Sequence, residues 1–454
     1  MLALSAASSA LELRYDRSAD TNLVYHLDCL ARVVNCHREA FAAIWATLPE
    51  RDSDDAWLER WQRLRQPLRT QRFRPEAAGT SPVPFDTAIA GEQPAIRGDA
   101  HAEHEVLSVF RARFTDWWER GNADEDLVRL VRSLDHSVAR ADLNTRVLAL
   151  SQFFAGDATE TVAVTLITSG NKRGRTHGEY RDQAVYVETL VGEPADSRTP
   201  TIAHEIAHYL YASLEPERRA AIRRWFVEHD ATLALPAYGI FNEAIATAFG
   251  NGIIERSLVG ERRFARMLAV PQSLYADRYI DVAGRAALPL LDEYLRDQRA
   301  IDAEFVDRFI TALERDLGPR AVELGLWLRV MVFANASPPL WPLAETVASR
   351  VRTGSLLQDD ISQGCNERCL LNRYPELPGI VVTTLDKLDV LAGIVPASEL
   401  TRLRRETTIN GRVAYGVRRS DRSLLFIAAG RSDADAAAAL DQLLHFGQIF
   451  VGPL

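Results

Sequence analysis

The chain has 454 residues, 47% of them apolar and 25% charged, with a net charge of −9 at neutral pH. That length provides for more than one domain and a large core, and the composition is that of an ordinary globular chain. Acids and bases are mixed along it. With no basic tract, membrane-length apolar run or fixed-period repeat, nucleic-acid binding, a membrane span and a solenoid are all disfavoured.

Residues 1–10 are small and apolar and resemble the end of a secretory signal, with Ser8-Ser9-Ala10 as a cleavage site. The expectation is an exported protein, periplasmic or secreted. Residues 11–155 read as a helical amino-terminal region. Leu23, Leu27, Leu30 and Val34 recur at helical spacing, as do Trp57, Trp61 and Leu64. Of the four cysteines, Cys29 and Cys36 lie close together, and so do Cys365 and Cys369. An even count permits disulfides in any of three pairings. On an unbroken helix Cys29 and Cys36 would stand about 10 Å apart, so a local bond there requires a break in the helix. Pro67, Pro75, Pro82, Pro84 and Pro94 make residues 66–99 an extended strap. His101 and His104 follow at i,i+3, with no third ligand in reach; they read as a polar helix start.

At Glu160 the period changes. Residues 161–168 and 183–190 are β-branched runs, and Gly170, Gly174 and Gly178 loosen the polar connection between them. Next comes Thr201-Ile-Ala-His-Glu-Ile-Ala-His-Tyr-Leu210, which contains His204-Glu205-x-x-His208. In a helix, i and i+4 lie one turn apart on one face, so both imidazoles can reach one metal. Glu205 is rotated by about 100° and can lie beside that metal without binding it, where a carboxylate can take a proton from an activated water. Thr199 is placed to cap this helix and Pro200 suits its first turn. Residues 215–228 form an amphipathic helix that ends at His229, a surface or cap residue. Residues 239–249 read as a second apolar helix, interrupted near its start by Asn242-Glu243.

Residues 255–341 are helical in pattern throughout, with 322–332 among the apolar stripes. The carboxyl-terminal order is strand (379–384), one or two helices (385–403), hairpin (412–417 and 423–428), helix (433–445) and strand (448–451). That βαββαβ order suggests a ferredoxin-like module.

Gly239-x-x-Asn242-Glu243-Ala244-Ile245, read with His204-Glu205-x-x-His208, resembles the zinc-site segments of thermolysin-like metallopeptidases, the gluzincins, as a divergent bacterial branch. The likeness covers residues 200–250. It implies one zinc ion per chain held by His204, His208 and Glu243, with Glu205 as general base. It also implies a Tyr or His beyond the third ligand as oxyanion donor, for which Tyr279 is the first candidate and Tyr275 the second. A sheet edge before the zinc helix would border the cleft and pair with an extended peptide. The chain departs from the family in its longer spacing between ligands. It also has Thr247 where the family has an aspartate that supports a histidine ligand.

The expected fold is thus α+β and mostly helical. It comprises a gluzincin-type catalytic region (156–372), with a small sheet before the zinc helix, and an α/β module (373–454). The expected function is a zinc metallopeptidase acting on peptide or protein substrates. The alternatives are an inactive peptidase-fold scaffold that binds protein or peptide, and a zinc hydrolase of another amide or ester.

Overall fold

The computed structural model describes residues 12–34, 36–49, 53–65, 99–156, 161–174, 176–181, 184–340, 342–352, 355–366, 369–419 and 423–454. The signal-like residues 1–10 and residues 66–98 of the proline-rich strap lie outside the described residues. The described chain is α+β and mostly helical, with two mixed sheets. It gathers into two compact units. The first contains residues 12–65, 99–218 and 243–301, and the second residues 219–242 and 302–454. The helices before residue 156 therefore share a unit with the His-Glu-x-x-His segment.

In the first unit a four-stranded sheet runs β1 (Glu12–Asp16), β2 (Thr161–Thr168), β4 (Ala184–Thr189), β3 (Gly178–Arg181) across its width. β1, β2 and β4 are parallel, and β3 runs antiparallel to β4 as an edge strand. The β-branched runs form β2 and β4 as expected. The sequence reading missed β1 and β3, which are too short to show a period. β3 forms inside the connection that its glycines suggested was loose.

Helix Ala19–Leu30 packs on this sheet beside helices Arg38–Trp45 and Asp54–Arg65. It ends at Leu30, and Arg32 enters the left-handed region at φ 59°. The chain turns back there, and the Cα atoms of Cys29 and Cys36 come 5.8 Å apart in a disulfide. This is the break in the helix that a local bond demands. Cys365 and Cys369 form a second disulfide. His26, on the same helix, is fully buried with Nε2 3.0 Å from the Thr168 carbonyl, and its ring meets Phe41 and Phe114 edge-on. Burial outweighs the favourable Thr168 contact and pushes its pKa down to about 4.

The second unit holds a six-stranded sheet in the order β10-β8-β9-β7-β5-β6. β5 (Val330–Asn335), β6 (Ser355–Asp360), β7 (Gly379–Thr384) and β9 (Leu424–Gly430) run parallel. β8 (Arg412–Arg418) is antiparallel to β9, and β10 (Gly452–Pro453) to β8. Two expectations are corrected here. The stripe at 322–332 is not one helix: a short helix, Leu324–Trp327, is followed by β5. All six residues of β5 are buried, and an unbroken apolar run in a central strand has no period by which to tell it from a buried helix. The carboxyl-terminal module also departs from the ferredoxin-like arrangement. β7, β9 and β8 are neighbours in the expected order, but β5 takes the place beside β7 that the last strand would fill. Of residues 448–451, Gln448 makes an isolated bridge to Glu323, and the paired strand is Gly452–Pro453.

Thiol titration of denatured, unreduced protein is expected to find no reactive cysteine; four reactive thiols would contradict both disulfides. His26 gives a pH dependence of known sign. Its folded pKa lies below the ordinary value of 6.5, so the unfolded chain takes up a proton first as pH falls. Stability is then lost from about pH 6.5 down to about pH 4. Denaturant unfolding across that range should show the wild type losing about 3 kcal/mol more than His26→Gln, which cannot titrate. Parallel curves for the two proteins would refute this.

Candidate metal centre

The motif lies on helix Thr199–Ala212, with Pro200 in its first turn. Thr199 is the first helical residue and not the cap; its hydroxyl lies 2.8 Å from Ser137 Oγ and 3.1 Å from the Ala195 carbonyl. Ile202, Ala203, Ile206 and Ala207 are fully buried, as an apolar face requires. Helix Ala234–Ala246 begins earlier than the pattern suggested and runs into a π-helical stretch, Thr247–Ile254. Such stretches recur at functional sites. This one crosses the motif helix so closely that a Cβ at Gly250 would come within 2.6 Å of the His204 nitrogen and 2.8 Å of its Cβ. Only glycine allows that approach.

His204, His208 and Glu243 meet. The two Nε2 atoms are 3.0 Å apart, and Glu243 Oε2 lies 3.6 Å from the first and 3.8 Å from the second. Zinc bonds of about 2.0–2.2 Å in a tetrahedron put donor atoms roughly 3.3–3.6 Å apart, so the three donors fit one zinc ion with little movement. Two imidazoles and a carboxylate are also the donor types of a catalytic zinc site. Among the described residues this is the one cluster of three such side chains close enough to share an ion. His101 lies in the first turn of helix Ala100–Arg120, its N–H bonded to the Asp99 cap, and His229 pairs with Asp307 at 3.0 Å.

Burial opposes protonation of His204. Glu243, Glu205 and the backbone of Ala246 outweigh it and hold its pKa above the ordinary value. Burial also pushes Glu205 up to about 8; His204 works against this, and Glu243 and Glu179 add to it. A carboxyl in that range is poised for proton transfer, and a nearby divalent cation draws its pKa downward.

Edge strand β3 passes directly over Glu205. A Cβ on Gly178 would lie 2.7 Å from Glu205 Oε1 and 2.9 Å from Thr201 Cγ2. The signal in the sequence was the glycine itself, since an isolated glycine in a strand marks a close approach. His177, just before it, is held down to about pKa 4 by burial first, then by His37 and His204, against the charge of Glu243. Sequence reasoning singled out neither Gly178 nor His177 as a site residue.

The tyrosine beside the ligands is Tyr275, the second candidate. Its ring stacks on His204 with centroids 5.7 Å apart and planes at 26°. Tyr279, the first candidate, opens helix Arg278–Arg296 as a buried residue. Its hydroxyl accepts from Arg278 at 2.8 Å, and the same guanidinium covers its ring. Thr247 is buried with its side chain against Gly284, where a Cβ would come within 2.9 Å of Thr247 Cβ. A scan of protein-family models finds no match to this chain, and searches of curated proteins and of solved structures find none.

Purified protein should carry about one zinc per chain, lost in a His204→Ala/His208→Ala variant. Elemental analysis that finds stoichiometric zinc in the double variant would refute this ligand set.

Proposed function

We propose that this chain is a zinc metallopeptidase of the gluzincin type that hydrolyses peptide bonds in peptides or proteins outside the cytoplasm. The observation that carries the reading is the convergence of His204, His208 and Glu243, with a buried carboxylate, Glu205, beside them under an edge strand. The two disulfides favour an oxidising compartment, periplasmic or extracellular. We read β2, β4 and the antiparallel edge β3, followed by the motif helix and the ligand helix, as the gluzincin-type core.

When bound, zinc supplies a Lewis acid that activates water and offsets negative charge on the substrate oxygen. Glu205 accepts the proton of the attacking water and hands it to the departing nitrogen. β3 offers its backbone to an extended peptide, which orients the scissile bond and excludes water from one side. Tyr275, with its ring on His204, is better placed than Tyr279 to donate to the developing oxyanion. One observation favours a different reading: Thr247 brings no carboxylate to the ligands, as in a site whose chemistry has lapsed into a peptide-binding scaffold. Hydrolysis of another amide or ester would use the same residues.

Glu205→Gln should keep its zinc and lose on the order of 10² to 10⁴ in turnover, because the amide keeps the shape but accepts no proton. Glu243→Gln should lose metal and activity together. Tyr275→Phe should lower turnover with zinc retained, and Tyr279→Phe should leave turnover near that of the wild type. Metal content measured beside cleavage of a quenched peptide library separates these outcomes. Full activity in Glu205→Gln would remove the mechanism, and fully loaded wild type inactive on the whole library would favour the scaffold.

A further inference from the structure

We propose that Asp281 is a positioning residue of the metal centre, acting through Tyr275 to fix the imidazole of His204. This rests on the zinc site proposed above. A histidine ligand needs something that fixes its ring, and that is most often a carboxylate or carbonyl. Thr247 supplies no carboxylate here, and the backbone of Ala246 supplies one contact to His204. The side chain seated on the His204 ring is Tyr275, near-parallel to it.

Tyr275 belongs to the segment 269–277, which joins helices Glu261–Leu268 and Arg278–Arg296 without regular structure of its own. Gln272 Nε2 donates to the Ala276 carbonyl at 2.6 Å within the segment, and the rest of the hold comes from outside it. Asp281 and Arg285, one turn apart on the second helix, supply it. The Asp281 carboxylate is 4% exposed. It accepts from the backbone N–H groups of Gln272 (3.1 Å), Leu274 (2.9 Å) and Tyr275 (3.3 Å), and from Arg285 Nε (2.7 Å). The Arg285 fork reaches the carbonyls of Leu268 and Val270 and the Ser273 hydroxyl. From the π-helical stretch, Asn251 donates to the Leu274 carbonyl at 2.6 Å.

One ion pair with a buried carboxylate thus organises the backbone of the segment up to the N–H of Tyr275 itself. It also sustains Gln272 at φ 56°, a conformation disfavoured for a residue with a Cβ. Charge-assisted bonds of this kind are short and directional, which suits a part that has to hold a ring in one plane.

The test reads zinc affinity, by competition with a chromophoric chelator, and the visible absorption of the Co²⁺-substituted protein. Asp281→Asn keeps the size and loses the charge. It should weaken Zn²⁺ binding about tenfold and shift the Co²⁺ bands. Tyr275→Leu should do the same, and Tyr275→Phe, which keeps the ring, should bind as wild type does. The combination Asp281→Asn/Tyr275→Leu should be no weaker than Tyr275→Leu alone, because Asp281 acts through Tyr275. If Asp281→Asn does not fold, Arg285→Lys opens the same clamp from its other end, with the same outcome expected.

Wild-type affinity in a folded clamp variant overturns the inference. So do losses that add in the double variant, which is what a merely structural role would give. A wild type that binds zinc, loses affinity in this pattern and cleaves no peptide overturns the peptidase reading and supports the positioning role. A wild type that binds no zinc overturns both.

Discussion

Three ionisable side chains, His204, Glu205 and His208, share two buried turns of a helix whose other faces are apolar, each between 5% and 7% exposed. Burying such groups is unfavourable unless they are paired or bound to a cation. The first unit is arranged around that constraint. Glu243 comes to the two imidazoles from helix Ala234–Ala246, the π-helical stretch closes on the His204 backbone at Gly250, and β3 closes over Glu205 at Gly178. Both closures depend on a missing side chain. A site with two imidazoles and two carboxylates in so little space is held more easily around a divalent ion than without one.

The amino-terminal helices are built into this arrangement. On β3 the side chains alternate, so Gly178 faces the motif helix while Glu179 and Arg181 point to the opposite face of the sheet. There two buried acids gather the strands and helices. Asp28 accepts from Trp61 Nε1 at 2.9 Å and pairs with Arg65 and Arg181. Glu188 accepts from Tyr25 at 3.2 Å and from the His177 N–H at 2.9 Å, and meets His37 Nδ1 at 3.0 Å. His37 directly follows Cys36, so the disulfide loop is tied through Glu188 to the residue before Gly178. Breaking such buried pairs from one side is strongly destabilising. Their effect here is to fix the register and height of the edge strand over Glu205.

Much of this was legible in the sequence. The spacing of His204 and His208 and the break in apolar character at Glu243 marked side chains that the fold brings together. Runs with a clear composition, such as the β-branched 161–168 and the alanine-rich 433–445, form the strand and the helix that they suggest. What was not legible has physical causes. β1 and β3 are only four or five residues long, and β1 pairs with a strand distant in sequence, Thr161–Thr168. β5 is buried on both faces and has no alternation to read. The choice between Tyr275 and Tyr279 depended on a loop shaped by Asp281 and Arg285, and no local pattern encodes a loop clamped from a neighbouring helix. The last strand failed as a prediction because β5, distant in sequence, competes for the place beside β7.

We propose that His204, His208 and Glu243 hold one zinc ion. The most direct measurement is anomalous diffraction at the zinc edge from crystals of protein purified without chelator. A single strong peak is expected about 2.0–2.2 Å from His204 Nε2, His208 Nε2 and a Glu243 carboxylate oxygen, with a fourth position open to solvent. A peak at other residues, or none at this cluster in crystals soaked with zinc, would contradict it.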